Sequence, residues 1–368
     1  MNDPSTATLA RMLLLIAGPS AVVSFGLCYL MRVLAPALGY MDRPGGRKSH
    51  PRAMPMGGGV AVVLTVIALI AAGIAAVLSD VYASFPAFDW LAVHREGLAL
   101  RLHQLAGVLF CGLILLVLGV FDDVKDLGPR FKLLVQFLLA GLVVFGFDVQ
   151  ATVFLPAPIL GSLLTVLWIV VITNAFNFLD NADGLASGVA LICTAVLIAV
   201  AVGSGQIFVS AYLACFAGAI IGFLLHNFPP ARIYLGDAGS QPIGFLLAVG
   251  TILTTYYQEQ SPDQLRTAVF IPLIIMAIPL YDFFSVIVIR LRAGKSPFVG
   301  DHRHFSHRLL QRGLRVRDVV LTIYLACGAT AVGAIVLQQV AWPYAMLIFL
   351  QTLCIVAIIG ILEYQPKK

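Results

Sequence analysis

Asn174-Ala-Phe-Asn177-Phe-Leu-Asp180-Asn181-Ala-Asp183-Gly184-Leu185 is the stretch that decides how this chain is read. An apolar run, Leu160 to Thr173, leads into it, and another begins at Leu185. Amides and carboxylates thus stand where a helix leaves an apolar medium, an expensive placement that by default marks function. Asn174, Asn177 and Asp180 are three apart, so adjacent members share a helix face. A drift of about 60° per step carries Asp183 around the cylinder. Asp183 is therefore expected in a turn that Gly184 permits. The plainer reading is a polar helix end with Asn and Asp as caps; that suits one or two such residues better than four.

The surrounding sequence fits a membrane. Of 368 residues, 60% are apolar and 11% charged, against roughly 25% charged in soluble domains. Mean hydropathy is +0.97. A span needs about 20 largely apolar residues. Eleven runs qualify, at roughly 9–35, 57–78, 103–121, 131–148, 160–178, 185–203, 207–226, 241–257, 268–290, 319–338 and 342–362. The expected fold is an all-α polytopic membrane protein of about eleven transmembrane helices, a single integral-membrane domain over 1–368. Gly203-Ser-Gly205 is a tight turn between the sixth and seventh runs. No internal repeat is evident, which speaks against a transporter built from inverted halves. Met1 to Arg11 carries little positive charge and no small-residue cleavage site, so the first run is read as a retained helix. The six cysteines all lie in apolar runs without a CxxC pair. They read as small buried hydrophobes, with no disulfide framework or zinc knuckle.

Charge sets the orientation. Arg43, Arg47, Lys48 and Arg52 follow the first run, and Lys125, Arg130 and Lys132 the third. Arg232 follows the seventh, and a series from Arg290 to Arg317 the ninth. The opposite side holds only Arg11, Arg95, Arg101 and Arg266. The positive-inside rule then puts the N-terminus outside and the C-terminus in the cytoplasm. The net charge of +5 suits a membrane surface and anionic substrates. No nucleic-acid-binding motif is present and no nucleic-acid partner is expected.

Every polar cluster falls on the cytoplasmic side, which points to one active site built from cytoplasmic loops. In Asp122-Asp123-Val-Lys125-Asp126, a helix continuing from the third run gives Asp126 a face shared with Asp122 and with Asp123. Such carboxylates repel unless a cation neutralises them, and Mg²⁺ suits an oxygen-rich site with few protein ligands. The alternative is plain membrane-end charges with Lys125 and Lys132 as partners. Tyr234-Leu-Gly236-Asp237-Ala-Gly239-Ser240 sets one carboxylate between glycines that let backbone amides approach a phosphate, beside a tyrosine able to stack a planar base. Asp237 has no Lys or Arg nearer in sequence than Arg232, so a divalent counter-ion is expected for it. His302, His304 and His307 have a spacing that admits zinc, but the interleaved Arg303 and Arg308 fit a pyrophosphate cradle better. A basic loop holding anionic lipid is the third reading. Gly57-Gly58-Gly59, after Arg47-Lys48-Ser-His50-Pro-Arg52, looks like a phosphate loop without being a Walker A motif.

Five motifs in order then resemble a known family. They are Asp42-Arg-Pro44 with Arg47-Lys48-Ser-His50 and the glycines, Asp122-Asp123-Val-Lys-Asp126-Leu, the Asn174–Leu185 stretch, Leu235-Gly236-Asp237-Ala-Gly239-Ser240, and Asp301-His-Arg-His304-Phe-Ser-His307-Arg308. From about Asp42 to Arg312 the chain is similar to the polyprenyl-phosphate N-acetylhexosamine-1-phosphate transferases of bacterial envelope synthesis, in the GlcNAc-1-phosphate branch. The resemblance implies transfer of a sugar-1-phosphate from a UDP-N-acetylhexosamine to undecaprenyl phosphate, with release of UMP and with Mg²⁺ or Mn²⁺ as cofactor. It implies catalytic roles for Asp122, Asp123, Asp180 and Asp237, with the metal on Asp237, Asp122 and Asp123. Asn177, Asp180 and Asp183 would line the nucleotide site and Tyr234 would stack uracil. Lys48, His50 and Lys132 would bind substrate, and His304, His307 and Arg308 would grip phosphate. The implied location is the bacterial inner membrane, and a homodimer is compatible with it. Asn181 stands where the family commonly has Gly, and Ser306 where it has a second His. The alternatives are a phospho-N-acetylmuramoyl-pentapeptide transferase or, from another class, a lipid-linked sugar carrier, which would set its charges nearer the bilayer midplane.

Overall fold

The computed structural model describes residues 6–43, 53–79, 95–151, 157–254, 269–297 and 303–363. In chain order these form α1 (Thr6–Ala37), β1 (Met41–Asp42), β2 (Met54–Pro55), α2 (Gly58–Leu78), α3 (Arg95–Lys125) and α4 (Pro129–Gly141), which runs on as a π-helical turn, Leu142–Gly146. Then come α5 (Pro158–Leu179), α6 (Leu185–Gly203), α7 (Ile207–Asn227), α8 (Asp237–Leu253), α9 (Phe270–Ile275), α10 (Ala277–Arg292), α11 (Phe305–Leu310), α12 (Val316–Ala331), α13 (Gly333–Leu337) and α14 (Trp342–Glu363). The two strands pair antiparallel. Pro129 and Pro158 open α4 and α5, where a missing N–H costs nothing. Gly205, at φ +68°, makes the tight turn between α6 and α7.

Among the described residues nine helices, not eleven, are long and apolar enough to cross a membrane. The two other predicted runs are helical but shorter. The run at 241–257 is α8, 17 residues long, and it ends near 255–268, which lie outside the described residues. The run at 268–290 breaks at Met276 between α9 and α10. Pro279 explains the break, because its ring crowds the carbonyl four residues earlier and it has no N–H to donate.

Helix packing follows membrane rules. Leu14 and Val22 of α1, and Leu347 and Ile361 of α14, are exposed and face lipid. Lipid is as apolar as leucine, so helices associate through close contact and polar bonds instead. Gly218 and Gly222 of α7 show this. A Cβ added to them would lie 2.2 Å from Ala17 O and 2.3 Å from Ala21 O of α1. Ser20 and Ser24 Oγ donate to Cys215 O and Ala219 O across the same seam, both at 2.6 Å, each worth about 0.6 kcal/mol. Five of the cysteines are buried as expected, while Cys354 is exposed on α14.

The glycines near the polar clusters serve packing too, which corrects two expectations. Gly58 and Gly59 N–H donate to Tyr234 O and Leu235 O at 3.0 and 3.1 Å, so they are not a phosphate loop. Gly239 N–H is bonded to Gly236 O at 3.0 Å rather than open to a phosphate. An added Cβ on Gly59 would lie 2.2 Å from Gly239 Cα, and one on Gly119 would lie 2.4 Å from Ala238 N. Small residues therefore let α2, α3 and the start of α8 converge.

Candidate active site

That convergence places the end of α3 against the start of α8. Asp123 caps α8, its carboxylate accepting from Asp237 N at 2.8 Å and Ala238 N at 3.3 Å. An anion at a helix N-terminus is favoured by the dipole and by the unpaired amides. Tyr40 OH, from the turn after α1, donates to the same carboxylate at 2.6 Å. Gly236, at φ +71°, is required here, since a Cβ would meet Asp123 Oδ2 at 2.6 Å.

Asp122 takes the other side. Lys132 Nζ, from the first turns of α4, bridges Asp122 Oδ2 at 2.7 Å and Asp237 Oδ2 at 2.9 Å. Asp237 thus has a cationic partner 105 residues away, although none stands near it in sequence. Asn177 Nδ2 donates to Asp237 Oδ1 and to Ser240 Oγ, both at 2.9 Å. Gln241 Nε2 donates to Asp237 Oδ2 at 3.0 Å. Behind it Gln136 Nε2 donates to Gln241 Oε1 at 2.9 Å, and Asn174 Nδ2 to Gln136 Oε1 at 2.5 Å. Sequence reasoning passed over Gln136 and Gln241. Their signal was a buried amide within an apolar run, which carries the same default meaning as a carboxylate there. Asp126 does not join the cluster. The helix stops at Lys125, and Asp126 turns out at φ +50° into an exposed position.

Asp180 and Asp183 stand in the turn between α5 and α6, with Gly184 left-handed at φ +72° as expected. Asp183 Oδ2 accepts from Ala231 N at 2.9 Å, and Asn227 Oδ1 accepts from Gly184 N at 2.9 Å. Burial, then the charges of Asp237 and Asp123, push the Asp180 carboxyl well above the usual range, although the Gly236 amide pulls it back. Tyr234 lies close enough to feel both carboxylates of this turn. Burial first, then Asp183 and Asp180, raise its phenol to about 12.

The histidine segment docks on this turn. Ser306 Oγ donates to Asn181 Oδ1, which ties the segment to the turn between Asp180 and Asp183. His304 meets Asp282 Oδ2 through Nδ1 at 3.0 Å, and Phe305 N donates to Asp282 Oδ1 at 2.7 Å. The His304 ring stands edge-on to Phe178 at 5.5 Å, and His307 lies 6.1 Å from it. Arg308, expected to grip phosphate, is ion-paired with Glu363 at 2.6 Å. Lys48, His50 and His302 lie outside the described residues.

The donor set suits a hard cation. Asp122, Asp123, Asp180, Asp183 and Asp237 gather here, and Lys132 bridges only two of them. Among the described residues no three His, Cys, Asp or Glu groups form a ready cage. Mg²⁺ commonly binds in this way, through one or two carboxylates plus substrate phosphates and water.

Comparison with known proteins agrees with the geometry. The profile described as glycosyl transferase family 4 matches residues 105–255, which hold Asp122, Lys132, Asn177 and Asp237. The decaprenyl-phosphate N-acetylglucosaminephosphotransferase of Mycobacterium tuberculosis (strain CDC 1551 / Oshkosh) is 31% identical over 347 residues, 88% of this chain and 82% of that protein. A Bacillus subtilis (strain 168) protein named "Probable undecaprenyl-phosphate N-acetylglucosaminyl 1-phosphate transferase" is 30% identical over 329 residues, 87% of this chain and 84% of its own. The undecaprenyl-phosphate alpha-N-acetylglucosaminyl 1-phosphate transferase of Escherichia coli (strain K12) is 27% identical over 319 residues, covering 82% and 78%. Relatives matched along most of their length, and a profile centred on the residues that build the site, make this chain a member of glycosyl transferase family 4.

Proposed function

We propose that the protein transfers GlcNAc-1-phosphate from UDP-GlcNAc to undecaprenyl phosphate and releases UMP, as the first membrane step of an envelope glycan. The observation that carries this reading is Lys132 shared between Asp122 and Asp237, with Asn177 on the free side of Asp237. A diphosphate arriving there meets one ammonium, amide donors and a carboxylate set suited to a divalent cation. Counted as crossings beside the nine candidate spans, α8 and the α9–α10 pair, together with the positively charged loops, support a site on the cytoplasmic face of the bacterial inner membrane.

The acceptor needs little activation. A phosphate monoester has a second pKa near 6 and is largely dianionic at neutral pH. Direct in-line attack on the β-phosphorus of the UDP-sugar then depends on positioning and charge neutralisation more than on a base. Lys132 would draw the phosphates in, Asn177 and Gln241 fix the Asp237 carboxylate, and Asp123 holds the α3–α8 junction. Mg²⁺, or Mn²⁺ in its place, would sit on Asp237 with Asp122 or Asp123 and supply Lewis-acid neutralisation of the diphosphate and departing UMP. Tyr234 would offer its ring to the uracil.

The experiment is UMP release by the purified protein in detergent with undecaprenyl phosphate, run over a panel of UDP-sugars with Mg²⁺ titrated. Release that requires both UDP-GlcNAc and lipid phosphate is the expected result. Release with no lipid phosphate, or none with any UDP-sugar, would overturn the reading.

A further inference from the structure

We infer that Glu363, in the last turn of α14, is a positioning residue for the proposed transfer: it holds the histidine segment against the acidic turn. The inference rests on the reading above. Glu363 is the first charged residue after Asp318, at the end of an otherwise apolar helix. It turns inward with 7% exposure while its neighbours Ile361 and Leu362 stay at 74% and 59%. An inward-facing acid in such a helix is by default functional, with its partner to be named. The partner is Arg308, whose Nη2 meets Glu363 Oε2 at 2.6 Å.

The contacts run without a gap from Glu363 to the site. Tyr281 OH donates to Glu363 Oε2 at 2.9 Å. Arg308 Nη2 also donates to Ser285 Oγ at 3.0 Å, and Nη1 to Arg303 O at 2.6 Å. The guanidinium therefore closes segment 303–308 on itself and ties it to α10 and α14. That segment reaches the acidic turn at two points. His304 packs edge-on to Phe178, two residues before Asp180, and Ser306 donates to Asn181, between Asp180 and Asp183. Arg308 is thus a strut with Glu363 as its fixed end, and it braces the segment alongside Asp282, which holds His304 and Phe305. Glu363 itself touches no reacting group.

The test uses the full chain in detergent, with kcat and KM for UDP-GlcNAc measured beside the melting temperature. Glu363→Gln keeps the shape and removes the charge. Expected is a KM raised about fivefold or more with kcat changed less than about threefold, the pattern of lost binding rather than lost chemistry. The protein should also melt earlier, because Arg308 is left as an uncompensated buried charge. Arg308→Gln with Glu363→Gln removes both charges, and replacing a whole buried pair is often neutral for stability. The double variant should therefore melt near wild type yet keep the raised KM. If its KM returns together with its melting temperature, the pair only stabilises the fold and the inference falls. An unchanged KM in Glu363→Gln overturns it as well. Should that variant fail to purify, Glu363→Asp keeps the charge but withdraws it by one methylene. It should show a smaller rise in KM, and no rise would again overturn the inference. A wild-type protein that releases no UMP would instead sink the proposed function, a separate result.

Discussion

The acidic half of the site and the histidine half are built in opposite ways. In the first, Lys132 and Asp237 keep 19% and 25% of their side-chain surface exposed, and one ammonium serves two carboxylates. Asp122, at 8%, is the closed end of this group. In the second, both acids are closed off: Asp282 under His304 is 1% exposed, and Glu363 under Arg308 is 5%. Charges left open to solvent can exchange protein partners for a substrate phosphate at small cost. A sealed ion pair such as Glu363 with Arg308 cannot do so without leaving an uncompensated ion, which is strongly unfavourable. The open half is thus equipped for chemistry and the sealed half for shape.

The widest gap between the halves should appear at Lys132. Lys132→Met keeps the stem that packs at the rim and removes the ammonium. Asp122 and Asp237 then repel each other and no fixed cation meets the diphosphate. UMP release should fall by about 10²- to 10³-fold, the usual scale for losing a main electrostatic stabiliser, and the protein should melt earlier, because Asp122 and Asp237 lose their shared partner. Turnover within tenfold of wild type would move Lys132 to the structural side of the comparison.

Asp237→Asn comes next. It keeps one oxygen acceptor, for Asn177 or for Gln241 but not both, because they donate to different oxygens, and it loses the charge that meets Lys132. Activity should drop on the order of 10²-fold, and the residual activity should require more Mg²⁺. A Mg²⁺ titration of UMP release at saturating lipid separates the alternatives. Near-normal turnover with an unchanged midpoint would take Asp237 out of any cation site and leave Asp122 and Asp123 as the donors.

Much of the open half was legible in the sequence, because its chemistry sits in short motifs at helix ends. Asn177, Asp180, Asp183 and Asp237 could be picked out by residue type and by the cost of placing them beside apolar runs. Pairing was legible only locally: Lys132 was read as a partner for the Asp122–Asp126 charges, and it meets Asp122. Nothing near Asp237 announces Lys132, and nothing near Arg308 announces Glu363, because each partner arrives through helix packing from far along the chain. The glycines misled for a related reason. A backbone without Cβ admits a phosphate or another helix equally well, and only the approach of Gly59 to Gly239 shows which. Pro279 was visible, but its power to divide one apolar run into α9 and α10 was not weighed against the continuity of that run.

The smallest expected effect concerns Asp126, and it tests whether proximity in sequence means membership of the site. Asp122 and Asp126 are four apart and would share a face on a continuous helix. The helix instead ends at Lys125, and Leu127 N turns back to donate to Asp122 Oδ1 at 2.7 Å. Asp126 takes φ +50°, a left-handed conformation that Asp and Asn tolerate better than most residues. Asp126→Asn therefore keeps the backbone while removing a charge that faces solvent. Exposed substitutions away from special features usually change stability by no more than about 0.5 kcal/mol. Turnover should stay within about twofold of wild type, with the same Mg²⁺ midpoint, because a screened charge outside the cluster adds little to its field. Asp126→Ala carries a second signal: it removes the local tolerance for positive φ and should melt earlier than Asp126→Asn at similar turnover. A tenfold loss in Asp126→Asn would show that the carboxylate folds inward when substrate is bound. The open half would then hold one more acid than the packing of α3 and α8 gives it.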